Sequence, residues 1–250
     1  MKRLLTILLL VLAGPALAQG DEAVPTASEL LAAMDDNLQF ETRTSTTTMQ
    51  VITSRRTREY RMLTYGRGLD EAAVEYLAPD REKGTRMLKR GDELWLYLPR
   101  AERTQKISGH MLRQGMMGSD ISYEDMMESN DFEEMYEATV LGAEEVEGRS
   151  CWKVEAIGRD NTVTYPKRVF WIDKEHLIPV RQELYALSGM MLKVWTMSEV
   201  EQHGDRWVPM HMEIADQLRE GSKTVLHIED MTFGVALEDE VFSKRWLERQ

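Results

Sequence analysis

Residues 84–126 read GTRMLKRGDELWLYLPRAERTQKISGHMLRQGMMGSDISYEDM, and their pattern decides the fold. Residues 86–90 and 93–98 predict two strands joined by a turn at Gly91-Asp92, where glycine supplies the backbone freedom that a two-residue turn needs. Pro99 ends the second strand, because proline cannot donate a hydrogen bond to a strand ladder. The stretch is therefore expected to begin as an antiparallel hairpin.

The second strand of this hairpin is apolar on both of its faces. Side chains alternate along a strand, so Leu94, Leu96 and Leu98 share one face while Trp95 and Tyr97 share the other. A strand that is apolar on both sides is usually covered on both sides. We therefore expect protein to pack above and below this hairpin.

A segment rich in methionine and glycine follows the hairpin. Its defining residues are Met111, Gly115, Met116, Met117 and Gly118. Ser122 is expected to cap a short helix that begins near Tyr123, since the acidic residues that come next suit a helix start.

The rest of the chain predicts one helix and a series of short strands. Thr26 and Glu29 fit a capping box, and apolar residues at helical spacing predict an amphipathic helix over about 27–40. Further strands are predicted at 42–53, 58–65, 73–77, 136–141, 151–157, 168–172, 180–187, 192–200, 208–214 and 224–231. Short strands separated by short turns are typical of an antiparallel meander.

Composition and the first residues indicate a secreted globular protein. Its 250 residues carry a formal net charge of −12, which disfavours nucleic acid as a partner because phosphates would be repelled. Residues 1–18 have the basic end, apolar core and small-residue cleavage site of a signal peptide, and Gln19 would begin the mature chain. The length suggests one large domain or two small ones, and the exported chain would be freely soluble.

No arrangement of residues predicts catalysis or a cofactor. A G-x-S-x-G elbow, an H-E-x-x-H motif and a glycine-rich phosphate loop are all missing from the sequence, so we predict a protein that is not an enzyme. His211 and His227 lie on neighbouring predicted strands and could meet, but surface histidines are commoner than metal pairs, and we predict no metal. Cys151 has no partner for an internal disulfide and is expected to be a buried, inert thiol.

Two further compositional features each have an ordinary and a functional interpretation. The acidic residues between 124 and 137 are expected to form a solvated helix and loop, and docking onto a basic partner is the less favoured alternative. The 17 methionines could simply fill gaps in the core. Their flexible, polarisable side chains would also suit a surface that fits varied apolar ligands.

Two runs of the sequence resemble a known family. RGDELWLYLPRAERTQKIS (residues 90–108) and MMGSDISYEDM (residues 116–126) are similar to the outer-membrane lipoprotein-sorting family, the periplasmic LolA-like group, in a branch whose members are mostly uncharacterised. The ending EDEVFSKRWLER (residues 238–249) looks like the same branch. The resemblance implies a mainly β fold, an incomplete antiparallel β-barrel (half-barrel) wrapped round helices. It also implies that residues 19–250 form a single domain located in the periplasm.

The same resemblance implies a carrier function. The concave side of the half-barrel would be an apolar groove for the acyl chains of lipoproteins or other lipids, in transit toward the outer membrane. The implied partners are an inner-membrane exporter, of the resistance-nodulation-division or ABC type, and an outer-membrane acceptor. The alternative function is a ligand-sensing regulatory or accessory protein of an envelope transporter or stress pathway.

The residues expected to bind the ligand come from the hairpin and the methionine-rich segment. They are Leu94, Leu96, Leu98, Trp95, Tyr97, Met111, Met116 and Met117. The sequence leaves open which strand face lines the groove, although three leucines suit acyl chains better than a Trp-Tyr pair with polar tips. The methionine-rich segment would act as a movable flap, since its glycines permit bending.

Overall fold

The computed structural model describes residues 24–128 and 131–249. The predicted signal peptide and its cleavage site lie outside these residues. The helices are α1 (Ala27–Leu38), α2 (Tyr123–Met127), α3 (Phe132–Met135) and α4 (Lys244–Leu247). The strands are β1 (Thr42–Ile52), β2 (Thr57–Arg67), β3 (Glu71–Ala78), β4 (Arg86–Arg90), β5 (Glu93–Leu98), β6 (Arg103–Ile107), β7 (Tyr136–Val146), β8 (Arg149–Gly158), β9 (Lys167–Asp173), β10 (Pro179–Tyr185), β11 (Met191–His203), β12 (Arg206–Asp216) and β13 (Lys223–Phe233).

All thirteen strands belong to one antiparallel sheet. Their order is β6-β5-β4-β3-β2-β1-β13-β12-β11-β10-β9-β8-β7, so each strand pairs with its sequence neighbour except where β1 closes onto β13. In the described residues β6 and β7 end this order and do not pair with each other. The sheet is therefore an open half-barrel, and the predicted fold class is confirmed.

The register of the strands defines two continuous faces. Met49 of β1 lies opposite Tyr60 of β2 on one side and opposite Leu226 of β13 on the other. The same face continues through the strands on either side as a row of apolar residues, and it carries both α1 and residues 108–128. We call this the inner face and its reverse the outer face.

Helix α1 covers one end of the inner face. The Thr26 hydroxyl accepts a hydrogen bond from the Glu29 backbone amide, and the Glu29 carboxylate accepts one from the Thr26 amide, which confirms the predicted capping box. The buried stripe of Leu30, Leu31 and Met34 packs on side chains of β7, β8 and β9. This packing fixes the helix to the sheet over those three strands.

The β4–β5 hairpin has the predicted bounds and turn. Gly91 has a positive φ of 52°, a conformation that favours glycine. On the outer face, Trp95 and Tyr97 are buried against Trp246 and Leu247 of the C-terminal segment. The predicted cover on both sides of this strand is confirmed.

Two predictions at the level of single elements have clear outcomes. Strand β6, an edge strand in which only Ile107 is fully buried, was missed because its polar residues give no alternating signal. Cys151 is free and buried as predicted, and burial raises the pKa of its thiol to about 11. A thiol with so high a pKa is unreactive at neutral pH.

Candidate functional site: the inner face and its covering segment

Residues 108–128 lie across the inner face of β1–β6 and of β11–β13, and we call them the covering segment. They contain two 3-10 turns, Gly109–Arg113 and Met116–Gly118, followed by α2. Gly115 is required here, because a Cβ at this position would lie 2.1 Å from the carbonyl oxygen of Ser119. The chain thus folds back on itself at this point, and Met116 donates a backbone hydrogen bond to Ile121 (2.8 Å).

The covering segment contributes methionines to the largest apolar cluster of the structure. Its own residues in that cluster are Met111, Leu112, Met116, Met117, Ile121, Tyr123, Met126 and Met127. They pack on strand residues of the inner face, among them Met49, Met62, Met87, Leu94 and Leu96. Thioether side chains therefore meet from both sides, which gives an interface of unusually adaptable groups.

Asp120 ties the first half of the covering segment to the sheet. Its fully buried carboxylate accepts hydrogen bonds from the hydroxyls of Thr224 and Ser222, each at 2.8 Å, and lies 3.3 Å from a guanidinium nitrogen of Arg219. Its backbone amide donates to the Thr224 hydroxyl at 2.8 Å. Every contact made by this carboxylate goes to one turn and the strand after it, so the segment has a firm attachment beside β13.

Asp125 ties α2 to strand β11. Its carboxylate pairs with the ammonium group of Lys193 and accepts a hydrogen bond of 2.5 Å from the Tyr165 hydroxyl. It also closes the capping box of α2 with Ser122, which confirms the predicted helix cap. Burial and the neighbouring carboxylate raise the pKa of Tyr165 above its ordinary value, so this hydroxyl remains a donor.

Glu128 makes the third attachment, to strand β9. Its carboxylate pairs with Arg168, whose Nε also donates to the Tyr136 hydroxyl (2.8 Å) and whose Nη1 donates to Gln182 (3.2 Å). Burial raises the pKa of Glu128, although the arginine opposes that rise. Burial acts to lower the pKa of Arg168, but Glu128 and Tyr136 more than offset it and leave the pKa above its ordinary value. The guanidinium is therefore a permanent buried charge.

These attachments correct one interpretation of the sequence. The acidic residues of 124–137 were expected to be solvated, yet the side chains of Asp125 and Glu128 are only 5% and 12% exposed. The expectation is wrong for these two, because each meets a cation on the inner face. The sequence did contain a signal for this burial, because both carboxylates stand beside the apolar residues Tyr123, Met126 and Met127.

The eight residues predicted to bind ligand divide between the two faces. Leu94 and Leu96 lie on the inner face and Leu98 at its margin, together with the three methionines of the covering segment. Trp95 and Tyr97 lie on the outer face under the C-terminal segment. The structure therefore brings six of the eight together.

Two other features lie away from the inner face. His211 and His227 are opposite each other on β12 and β13, and Oε2 of Glu199 lies 3.7 Å from Nδ1 of His227, on the outer face. A surface depression of about 1290 Å³ lies at the β2–β3 and β4–β5 turns. Its lining is mostly charged, and none of the described lining residues belongs to the methionine cluster, so its size does not make it a site for an apolar ligand.

The architecture defines a class of protein, a half-barrel whose apolar inner face is covered by helices and turns. A family model described as an uncharacterized protein matches residues 68–249, and the chain belongs to that family. None of the helices among residues 24–128 and 131–249 has the length and hydropathy needed to cross a bilayer. No curated protein matches the chain.

Three solved structures share the fold over nearly the whole chain. A domain named for outer membrane lipoprotein sorting, from Vibrio parahaemolyticus, is 27% identical with a TM-score of 0.79, covering 89% of this chain and 98% of its own. A DUF1329 family protein from Desulfovibrio piger is 24% identical with a TM-score of 0.81, over 88% and 97% of the two chains. A LolA superfamily protein from Nitrosomonas europaea is 23% identical with a TM-score of 0.73, over 89% and 100%. The predicted resemblance to the lipoprotein-sorting family is confirmed.

Proposed function

We propose that this protein is a periplasmic carrier that shields the acyl chains of lipoproteins or other lipids during transfer toward the outer membrane. The observation that carries the proposal is the apolar inner face of β1–β6, covered by short turns and methionines in place of a long helix. In the loaded state, acyl chains take the place of the covering side chains on that face. The name of the Vibrio parahaemolyticus domain supports the same cargo class.

Exposure of acyl chains to water has a large cost in free energy, which an apolar face would remove. Each methylene exposed to water costs about 0.8 kcal/mol, so a chain of about a dozen methylenes costs on the order of 10 kcal/mol. The methionines of the covering segment bury the same sheet surface when no cargo is present. Cargo thus replaces one set of apolar contacts with another, and the inner face stays dry in both states.

The mechanism requires no bond to be made or broken. Binding depends on apolar burial and on release of the covering segment, so neither a catalytic residue nor a cofactor takes part. Residues 1–18 would direct export, and an inner-membrane exporter and an outer-membrane acceptor would load and unload the carrier. Native mass spectrometry of protein purified from its own periplasm would report a bound lipid directly.

The decisive experiment compares the two faces of one strand. Leu96→Glu puts a carboxylate on the inner face, and Trp95→Glu puts one on the outer face beside it; both native side chains are buried. We expect Leu96→Glu to lose displaceable binding of a fluorescent fatty-acyl probe, because an unpaired charge must be desolvated. Trp95→Glu should keep it.

Circular dichroism confirms that each variant is folded. If Leu96→Glu fails to fold, Leu226→Glu at a half-buried position of the inner face replaces it. A folded inner-face variant that binds the probe as tightly as the parent would contradict the proposal. Loss of binding only in Trp95→Glu would place the ligand on the outer face.

A further inference from the structure

Two buried cations lie in one row across the inner face. Arg168 of β9 and Lys193 of β11 are both register partners of Leu184, which lies on β10 between them. Two steps between neighbouring strands separate their Cα atoms by about 10 Å. The Arg168 side chain is 2% exposed and that of Lys193 is 10% exposed. Both charges are thus built into the sheet.

The row lies near one open end of the half-barrel. Arg168 is the second residue of β9, Lys193 the third of β11, and Leu184 the last but one of β10. Trp195, two residues after Lys193 on the same face, already packs on the methionine cluster. The inner face therefore has positive charge at its end and apolar surface directly beside it, which is the charge pattern complementary to an acidic amphiphile.

The partners of both cations come from the covering segment. Asp125 pairs with Lys193 and Glu128 pairs with Arg168. The other groups around Arg168, Tyr136 and Gln182, are neutral. Withdrawal of the segment would leave two buried cations without counter-charges, which is strongly unfavourable unless another anion replaces the carboxylates.

We propose that Arg168 and Lys193 bind the anionic headgroup, a phosphate or carboxylate, of an acidic lipid whose acyl chains lie on the inner face. Asp125 and Glu128 occupy the same positions when no lipid is bound, so the covering segment is a built-in competitor of the headgroup. An arginine held among aromatic rings suits this role, because its planar donors match the oxygens of phosphate and carboxylate. The inference rests on the carrier function proposed above and names its cargo class.

The test separates the contribution of the headgroup to binding from that of the acyl chains. It compares two lipids that have identical acyl chains with a headgroup that has none. Phosphatidylglycerol, neutral diacylglycerol and free glycerol 3-phosphate each compete for the fluorescent fatty-acyl probe on the parent protein. They also compete on the variant Asp125→Asn/Glu128→Gln, which removes the competing carboxylates and keeps both cations. We expect the variant to bind phosphatidylglycerol about tenfold more tightly than the parent does, the factor given by one charge-assisted hydrogen bond, with a much smaller change for diacylglycerol.

A second variant removes the cation and its partner together. Asp125→Asn/Lys193→Gln leaves no buried charge unpaired at β11, and we expect it to lose the preference for phosphatidylglycerol over diacylglycerol while it still binds both. Glu213→Gln/Lys223→Gln is the matched control, because it removes an exposed pair at 2.9 Å with the same change in charge. This control should keep the preference of the parent.

The outcomes distinguish the headgroup inference from the carrier function itself. An equal gain for both lipids in Asp125→Asn/Glu128→Gln would mean that the segment is merely loosened, and would overturn the headgroup site while the carrier function stands. Competition by glycerol 3-phosphate as strong as that by phosphatidylglycerol would overturn the lipid in favour of a small-anion site. Failure of every lipid to displace the probe, from parent and variants alike, would contradict both proposals.

Discussion

The two ends of the inner face are covered by different kinds of structure. Over β7–β9 lies α1, a capped helix of 12 residues whose fully buried side chains pack on aromatic residues such as Phe170. Over β1–β6 and β11–β13 lies the covering segment, built of 3-10 turns and a five-residue helix, and rich in methionine. One sheet thus carries a regular cover and an irregular one.

This difference determines which cover would leave the inner face if the proposed cargo binds. A helix satisfies its own backbone hydrogen bonds, and α1 fits the sheet through the fully buried side chains of Leu30, Leu31 and Met34, so detaching it exposes a well-packed core. Short 3-10 turns have poorer hydrogen-bond geometry, and thioethers repack at little cost. The covering segment depends instead on three carboxylates, those of Asp120, Asp125 and Glu128, for its attachment.

The largest expected effect contrasts the two covers directly. Leu31 of α1 is 1% exposed, and Leu31→Ala should lower the free energy of unfolding by about 2–5 kcal/mol, since it leaves a cavity in a packed core. Met111→Ala, at a half-buried position of the covering segment, should cost about 1 kcal/mol or less. Urea denaturation followed by circular dichroism measures both. Equal losses would remove the contrast between the two covers.

An intermediate effect is expected where the covering segment turns back. Gly115→Ala drives a methyl group into the Ser119 carbonyl, and we expect a loss of about 1–3 kcal/mol together with tighter binding of the fatty-acyl probe, because the segment detaches more easily. Gln114→Ala is the control, since this neighbouring side chain of the covering segment is exposed. If Gly115→Ala matched this control in both stability and probe binding, the fold-back would not hold the segment in place.

A smaller, pH-dependent effect is expected at α1. Burial raises the pKa of Asp35 to about 7, although its Oδ2 accepts a hydrogen bond from the Glu133 amide (2.8 Å). The folded state therefore holds the proton more tightly than the unfolded chain does. Stability from this group is present at low pH and is lost as pH rises toward and through 7.

Asp35→Asn removes this titration. The variant should be more stable than the parent by about 1–3 kcal/mol at pH 8, and the advantage should shrink as pH falls toward 5. Thermal melts of the two proteins across this pH range measure the difference. An advantage that stays constant with pH would show that the carboxyl group does not titrate in this range.

The parts of the fold that were predicted correctly depend on neighbours in sequence. The capping box at Thr26, the turn at Gly91, and the cap at Ser122 each need residues no more than three positions apart. The alternation of leucines with Trp95 and Tyr97 correctly predicted that β5 is covered on both sides, and this pattern too lies within a few neighbouring residues. Local chemistry alone determines such features.

The parts that were missed depend on residues far apart in sequence. Asp125 pairs with a lysine 68 residues away, and Glu128 with an arginine 40 residues away. The pairing that buries these two carboxylates therefore cannot be predicted from the residues next to them in sequence. A signal existed on the strands, because Arg168 and Lys193 occupy positions that share a face with apolar residues. Which of the many carboxylates would meet them is decided by the folded sheet.

The two edge strands, β6 and β7, have a consequence for how the molecule deforms. In a closed barrel, the number of strands and their stagger fix the circumference. Among the residues that the structure describes, no strand pairing joins the two ends of this sheet, so its radius of curvature can widen through small changes of twist, with every ladder intact. The width of the interior is therefore adjustable, and the proposed carrier would enclose cargo of different cross-section.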